Sequence, residues 1–193
     1  MNNEEMYIAV ESAYRAAGQP VIIVGSQSLL GSFPAEALPT RLTLSREVDA
    51  VPSLGFQTGA DTTEAINRIN AAVGEGSPFH SAHGFYVEGV HGDTVILPDG
   101  WDRRLVEFTV IGRNGTAERA GWCLSPADTC ASKALGGRPQ DRDFVHAAIQ
   151  GRVVDAPAVL SLVQGGLHWG AHTPDRRRVE SAVDIVQHAR PDA

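Results

Sequence analysis

The chain contains little cysteine, almost no lysine and no long apolar run. Its 193 residues include two cysteines, and 15 of its 16 basic residues are arginine, so Lys133 is the sole lysine. No uninterrupted apolar stretch approaches the roughly 18 residues of a membrane-spanning helix, and the first residues lack the basic segment of a signal peptide. These features predict a cytoplasmic protein without a membrane partner.

The two cysteines do not follow a metal-binding or redox pattern. Cys123 and Cys130 are seven positions apart, without a CxxC spacing and without a neighbouring histidine ligand pattern. In a cytoplasmic protein such cysteines are typically reduced core residues. The sequence therefore predicts neither a disulfide nor a zinc site.

The charge balance limits the kinds of partner. A net charge of -7 argues against a broad basic face for nucleic acid, although carboxylates that bind metal would themselves add negative charge. The densest basic cluster, Arg176-Arg177-Arg178, indicates either a solvated helix face or a local contact for an RNA end. Lys133 carries a compact point charge suited to a phosphate oxygen, but its retention by chance is equally open.

Composition and periodicity predict a globular protein of mixed α/β (α+β) class. With 42% apolar residues, the chain is long enough to form one domain with a buried core, with or without a small appendage. Hydrophobic spacing and capping residues predict helices over 4–17, 26–33, 62–72, 142–150, 156–165 and 174–189, and a further helix that begins at Ser125-Pro126. Short β-branched runs predict strands over 21–24, 42–51, 85–90, 94–97, 105–111 and 120–124. We therefore expect an α/β core over residues 1–125 and a helical subdomain over residues 126–193.

The most informative pattern is a glycine-serine turn followed by two acids. Gly25 and Ser26 end the apolar run at 21–24, and Glu47 and Asp49 lie about twenty residues further on. Side chains two apart on a strand project to the same side, about 6–7 Å from each other. Glycine allows the backbone to approach a phosphate, whose charge helix amides can bind. The pattern predicts a site for a divalent cation and a phosphate.

These segments resemble the DNA polymerase β-like nucleotidyltransferase superfamily. The pattern runs VIIVGSQSLLGS, then LTLSREVDAV, and the later stretch SKALGGRPQDRDFVHAAI resembles AbiEii-like nucleotidyltransferases and their uncharacterised bacterial relatives. HGFYVEGV and LPDGWDRRL also look like segments of that group. The resemblance implies a mixed sheet flanked by helices, with a small helical tail.

The resemblance also implies roles for the acidic residues. Glu47 and Asp49 would ligate two Mg²⁺ ions, although family members often carry aspartate at the position of Glu47. A third carboxylate on a neighbouring strand would act as a ligand or general base, and Glu88 is our choice for it. Asp93 and Glu107 are the alternatives. Each of these acids could instead face solvent.

The phosphate-binding residues follow from the same resemblance. Gly25 and Ser26 would hold the β- and γ-phosphates of a nucleoside triphosphate. Lys133 would contact a phosphate or the acids, Arg138 would bind an anion, and Asp141 would belong to the same polar cluster. The alternative for this last group is a salt bridge that holds the tail on the core.

The function implied is Mg²⁺-dependent transfer of a nucleotide from a nucleoside triphosphate to a hydroxyl acceptor. The acceptor would be an RNA 3′ end, such as that of tRNA, or a protein side chain. AbiEii-like proteins suggest the toxin of a toxin–antitoxin or phage-defence pair, with a cognate antitoxin as partner. Two alternatives stay open: a small-molecule (drug) nucleotidyltransferase, and a non-catalytic module that binds nucleotide or protein on the same fold.

Overall fold

A computed structural model of the protein describes residues 1–58, 61–112, 115–165, 168–169 and 173–189. The helices are α1 (Asn3–Ala17), α2 (Ser53–Thr58), α3 (Thr63–Val73), α4 (Pro78–His83), α5 (Pro126–Gly136), α6 (Pro139–Gln150), α7 (Ala156–Gln164) and α8 (Arg176–His188). The strands are β1 (Val21–Ile23), β2 (Glu47–Pro52), β3 (Tyr86–Gly89), β4 (Leu97–Pro98), β5 (Val106–Ile111), β6 (Ala117–Cys123) and β7 (His168–Trp169). Short 3₁₀ helices include Ser26–Gly31, Thr40–Thr43 and Trp101–Arg104.

The main sheet is mixed and has the strand order β3-β2-β1-β6-β5. The central strand β1 is antiparallel to β2 and parallel to β6. On one side β3 pairs with β2 in parallel, and on the other β5 pairs with β6 in antiparallel fashion. Strands β4 and β7 form a separate antiparallel pair. The structure confirms the predicted mixed sheet flanked by helices.

Strand β1 is apolar along its whole length because both of its faces are covered. Val21 and Ile23 belong to the larger core cluster, which includes the apolar stripe of α1, whereas Ile22 belongs to a second cluster with Trp101 and Leu124. Successive side chains point to opposite faces of a strand, so a strand buried on both faces needs a continuous apolar run. This explains why the run at 21–24 lacks alternation.

Helix α1 is fixed at both ends by capping. The Asn2 side chain accepts a hydrogen bond from the Glu5 amide, and the Glu5 carboxylate accepts one from the Asn2 amide, both at 2.8 Å. At the other end Gly18 adopts the left-handed conformation with φ 70°. This reciprocal arrangement is the capping box, and it satisfies amides that the helix leaves unpaired.

The starts of the four tail helices, and the ends of the last three, were predicted within a few residues of the observed bounds. Helices α5 to α8 pack against one another, and α5 also contacts the 3₁₀ helix Ser26–Gly31 of the N-terminal half. One cluster of buried residues includes Val48 and Ile69 as well as Val145 and Ile185. The apolar core is therefore continuous across residue 125. The division into two units at that position stays a prediction.

Several elements differ from the sequence-based expectation. The predicted strand over 42–51 begins only at Glu47, because Pro39 is followed by the 3₁₀ helix Thr40–Thr43. Thr94 ends a 3₁₀ helix instead of starting a strand, and α2 and α4 were not predicted. For α4 the signal was present: the Ser77 hydroxyl accepts a hydrogen bond from the His80 amide (3.1 Å), Pro78 follows it, and Gly84 ends the helix.

Both cysteines have the environment that the sequence predicted. Cys123 and Cys130 are free cysteines and are fully buried, on β6 and α5 respectively. Burial raises the pKa of each thiol to about 12, so both remain uncharged core residues.

Over the part of the chain that the structure describes, no helix combines the length and apolar character needed to cross a bilayer.

A buried ion pair joins the N-terminus of α5 to the 3₁₀ helix Trp101–Arg104. The Asp128 side chain is 0% exposed and accepts hydrogen bonds from Nε and Nη2 of Arg104, the shortest of them 2.7 Å. Ser125, the N-cap of α5, also donates its hydroxyl to Asp128. This pair fixes the start of the helix that carries Lys133.

We expect Asp128→Ala to lower the free energy of unfolding by about 2–3 kcal/mol, somewhat less than for a fully buried pair because Arg104 is partly exposed. The physical reason is that Arg104 loses its anionic partner and α5 loses part of its cap. Urea unfolding followed by circular dichroism measures the change. Arg103→Ala, at an exposed neighbouring residue, should change stability by less than about 0.5 kcal/mol. Equal effects of the two substitutions would contradict the proposed importance of the pair.

Candidate active site

Three carboxylates converge where β2 pairs with β3. Asp49 lies directly opposite Glu88 in the parallel register, and Glu47 lies two residues earlier on the same face of β2. One oxygen from each of Glu47, Asp49 and Glu88 lies within 4.8 Å of the others. Asp49 and Glu47 are partly buried, and Glu88 is exposed. The pairing of β2 with β3 therefore holds three acids close together, although like charges repel at this separation.

The pKa values show the electrostatic cost of this arrangement. A hydrogen bond with Glu88, burial, and the charges of Asp49 and Glu88 raise the pKa of Glu47 to about 7. Burial also raises the pKa of Asp49, while the charge of Lys133 opposes that rise. Carboxylates that crowd one another favour a shared proton or a bound cation. The cluster is thus poised to exchange protons for a metal ion.

Tyr86 lies next to Glu47 and completes this part of the site. The two residues are opposite partners in the β2–β3 register and are joined by a side-chain hydrogen bond. Burial and the nearby charge of Glu47 raise the pKa of Tyr86 to about 12, so its hydroxyl keeps its proton and donates. This contact holds the Glu47 side chain against β3.

Gly25 allows the turn after β1 to lie directly against Asp49. Its φ is 57° and its ψ is -168°, a region that is accessible essentially only to glycine. A Cβ atom at this position would lie 2.0 Å from Asp49 Oδ2. The turn is also tied to α5, because the Ser28 hydroxyl bonds the Gly25 carbonyl (2.8 Å) and lies 2.7 Å from Thr129 Oγ1. The glycine thus sets the distance between the turn and the acids.

Two cations are held beside Asp49 by a buried aspartate. Asp141, in the first turn of α6, is 1% exposed and accepts hydrogen bonds from Lys133 Nζ (3.1 Å) and Arg138 Nε (2.7 Å). Burial disfavours the charge of Asp141, but the bonds from Arg138 and the charge of Lys133 outweigh it and hold its pKa below the ordinary value. Lys133 Nζ also lies 4.9 Å from the centre of the Phe144 ring. Both cations act electrostatically on Asp49.

Two cavities adjoin at these residues. The first cavity, of about 450 Å³, lies beside Gly25 and extends towards Arg178. The second cavity, of about 560 Å³, lies beside Ser26, Glu47 and Glu88. Four residues line both cavities and form the wall that they share: Asp49, Lys133, Arg138 and Asp141.

The structure brings every residue predicted for the site to these two cavities. Gly25 lines the first cavity, Ser26, Glu47 and Glu88 line the second, and the shared wall supplies the remaining four. The roles assigned to them stay predictions. Of the alternatives for the third acid, Asp93 lines the first cavity. Glu107 lies on β5, at the opposite edge of the sheet from β3, where it pairs with Arg119 (2.8 Å).

Sequence reasoning missed some residues that line the cavities. Thr129 and Ser132 line the first cavity together with Lys133. Residues three and four apart share a helix face, so the position of Lys133 on a predicted helix was a signal for Thr129, four residues earlier. The sequence marked Arg178 only as part of the basic cluster 176–178, because it is the packing of α8 on the other tail helices that brings it to the first cavity.

The donor set suits a hard divalent cation. Glu47, Asp49 and Glu88 offer only oxygen ligands, which Mg²⁺ and Mn²⁺ prefer to nitrogen or sulfur donors. The hydrogen bond with Glu88, burial and the charge of Asp49 raise the pKa of Glu47 to about 7, so a cation would compete with a proton for this cluster near neutral pH. The residues present therefore fit a divalent metal site.

A glycine turn, an acidic cluster across the neighbouring strand and a pair of cations define a site of the nucleotidyltransferase class. The sequence over residues 6–187 matches the model of a family described as nucleotidyltransferases of unknown function (DUF6036). Since the match covers nearly the whole chain, the protein belongs to this family. No curated protein and no solved structure matches the chain. Membership of this family supports a nucleotide as substrate and a divalent metal ion as cofactor.

We expect the thermal stability of the metal-free protein to fall as the pH rises from about 5 to about 8. The pKa of Glu47 is raised from 4.5 to about 7 in the folded chain, so its stabilising contribution is complete below 4.5 and is lost as the pH rises through 7. Glu47→Gln removes this titration and should show a smaller fall. Melting curves in EDTA across this pH range measure the effect. Parallel curves for the two proteins would contradict it.

We also expect Gly25→Ala to lower the affinity for Mn²⁺ by at least about tenfold, because a new Cβ would displace Asp49. Gly76→Ala is the matched control: Gly76 also has a positive φ (75°), but a Cβ there meets no atom within 4 Å. Mn²⁺ titration followed by electron paramagnetic resonance measures free and bound ion. Equal losses in both variants would show that backbone strain, and not the contact with Asp49, is responsible.

Proposed function

We propose that the protein is a metal-dependent nucleotidyltransferase that moves a nucleotide from a nucleoside triphosphate to a hydroxyl acceptor. The observation that carries the proposal is the shared wall between the cavities. There Asp49, part of the acid cluster, lies within the electrostatic reach of Lys133 and Arg138. A site for nucleotidyl transfer needs acids for a cation and cations for a phosphate chain within a few ångströms of each other.

Glu47, Asp49 and Glu88 would hold Mg²⁺, as one or two ions. When bound, the metal would neutralise the triphosphate and make the acceptor oxygen a stronger nucleophile. Within the chain, the backbone at Gly25 and Ser26 would contact phosphate oxygens, because glycine has no side chain to hinder their approach. Lys133 and Arg138 compensate the negative charge that develops on the leaving pyrophosphate.

The reaction proposed is an in-line displacement at the α-phosphorus. A bond forms between the acceptor oxygen and phosphorus, and the bond from phosphorus to the bridging oxygen breaks, so that pyrophosphate leaves. Glu88 is the exposed member of the cluster and lines the second cavity, where it can take the proton from the acceptor hydroxyl. Tyr86 keeps Glu47 in place through their hydrogen bond.

The acceptor and the biological role are finer proposals that rest on the resemblance to AbiEii-like proteins. On that resemblance, the acceptor is an RNA 3′ end or a protein hydroxyl. The biological role is that of a toxin or a phage-defence protein. Leu44, which is 64% exposed, lines the second cavity beside Arg41 and would contact an acceptor there. Transfer of label to total RNA or to protein distinguishes the two acceptors.

We expect the double substitution Glu47→Gln with Asp49→Asn to abolish transfer of radiolabel from α-³²P-labelled nucleoside triphosphates. Two of the three proposed metal ligands lose their charge while the shapes of their side chains are nearly unchanged. The wild type should be assayed with each of the four ribonucleotides, with Mg²⁺ and with EDTA. Circular dichroism establishes that the variant remains folded.

Glu107→Gln serves as the control, because this acid lies at the opposite edge of the sheet and pairs with Arg119. It should retain wild-type transfer. If the wild type binds a nucleotide but transfers no label to any acceptor in a cell extract, the protein is a non-catalytic binding module. Equal transfer by the wild type and the double variant would exclude the proposed role of the acids.

A further inference from the structure

The two cavities differ in the charged residues that they do not share. Beyond the common wall, the first cavity is lined by one basic residue, Arg178, and one acidic residue, Asp93. The second cavity is lined by Arg41 together with both Glu47 and Glu88. Arg41 is already paired with Asp143. An anionic ligand is therefore less opposed by local charge in the first cavity than in the second.

Arg178 is the residue that makes the first cavity suitable for an anion. It lies in the first turn of α8, is exposed, and lines the first cavity together with Lys133 and Arg138. Among the described residues its guanidinium has no hydrogen-bond or ion-pair partner. The neighbouring Arg176, in contrast, pairs with Glu180 at 2.7 Å.

The position of Arg178 at the start of a helix favours an anion beside it. The N-terminal end of a helix carries partial positive charge, so cations in its first turn are destabilising unless an anion compensates them. Asp175, the N-cap of α8, supplies one negative charge and accepts a hydrogen bond from the Arg178 amide at 2.8 Å. The guanidinium itself is left available on the cavity side.

The remainder of the first cavity has the character that a nucleoside needs. Apolar residues from three segments line it: Val24, Val90, Val95, Ile96 and Leu124. Polar residues of α5, Thr129 and Ser132, lie on the same side as Lys133. An apolar surface with a few polar groups is typical of small-molecule sites.

We propose that the first cavity holds the nucleoside triphosphate and that Arg178 binds its phosphate chain together with Lys133 and Arg138. The second cavity then receives the acceptor, beside Glu88. This inference rests on the proposed function and deepens it, because it assigns the donor to one cavity and adds a binding residue from the last helix. Guanidinium is well matched to phosphate oxygens, which it binds through two parallel hydrogen bonds.

The first test compares Arg178→Ala with Arg177→Ala. Each variant is titrated with each ribonucleoside triphosphate in the presence of Mn²⁺, and isothermal titration calorimetry measures the affinity. Arg177 is the exposed neighbour of Arg178 and carries the same charge, but it is not among the described residues that line either cavity. Arg178→Ala should weaken binding by at least tenfold and reduce its dependence on salt, whereas Arg177→Ala should change affinity by less than twofold.

The second test blocks each cavity in turn. Ser132→Phe places a large side chain in the first cavity only, and Gln140→Phe places one in the second only. Nucleotide affinity should fall in Ser132→Phe and stay within twofold of the wild type in Gln140→Phe. Melting curves establish that both variants are folded.

The outcomes separate the inference from the proposal on which it rests. If the wild type binds a nucleotide but Arg178→Ala behaves as Arg177→Ala does, Arg178 is not a ligand, and the proposed function is unaffected. Loss of affinity in Gln140→Phe, with Ser132→Phe unchanged, would place the donor in the second cavity and overturn the assignment. If the wild type binds no nucleoside triphosphate with Mn²⁺, the proposed function fails together with the inference.

Discussion

Mutual repulsion among Glu47, Asp49 and Glu88 is balanced by the rigid pairing of β2 with β3. The register places Asp49 opposite Glu88 and Glu47 opposite Tyr86, so the backbone and not the side chains sets the spacing of the acids. Because β2 also pairs with the buried strand β1, the acids cannot move apart without disturbing the core. This crowding adds to the raised pKa values, for which the hydrogen bond with Glu88 is the largest cause at Glu47 and burial is the largest cause at Asp49. Such stored electrostatic strain is typical of functional sites.

The charge opposite the acids is arranged by Asp141. This buried carboxylate holds Lys133 and Arg138 and is itself neutralised by them, so the three residues add only one net positive charge near Asp49. This single excess positive charge favours the ionised form of Asp49. Because Lys133 and Arg138 bond to Asp141 and not to Asp49, the Asp49 carboxylate stays open to a ligand. Because Lys133 lies on α5 and Asp141 on α6, the tail completes the site. The buried pair of Asp128 with Arg104 fixes the start of that tail.

The parts of the site that could be predicted from the sequence are those with local signals. The apolar run before Gly25, the spacing of Glu47 and Asp49, and the Ser125-Pro126 helix start each depend on a few adjacent residues. Glu88 could be chosen from its strand, but only the structure places Glu107 at the opposite edge of the sheet and Asp93 in the 3₁₀ helix Gly92–Thr94. The extended segment expected before Glu47 was wrong, because Pro39 and Thr40 begin a 3₁₀ turn. Arg178 could be named only as part of a basic cluster, since its place at the first cavity depends on the packing of α8.

The strand order has a consequence for how the protein is made. On the ribosome, β1 and β2 emerge early, but β6, which must pair with the other edge of β1, follows about a hundred residues later. Until then β1, whose side chains are apolar, has one edge of unpaired backbone groups. Exposed edges of apolar strands are prone to aggregate. Pairings so distant along the chain also slow folding. A nascent chain of this protein therefore leaves this edge of β1 open for much of its synthesis, and the basic side of its site, on α5 and α6, is made later still.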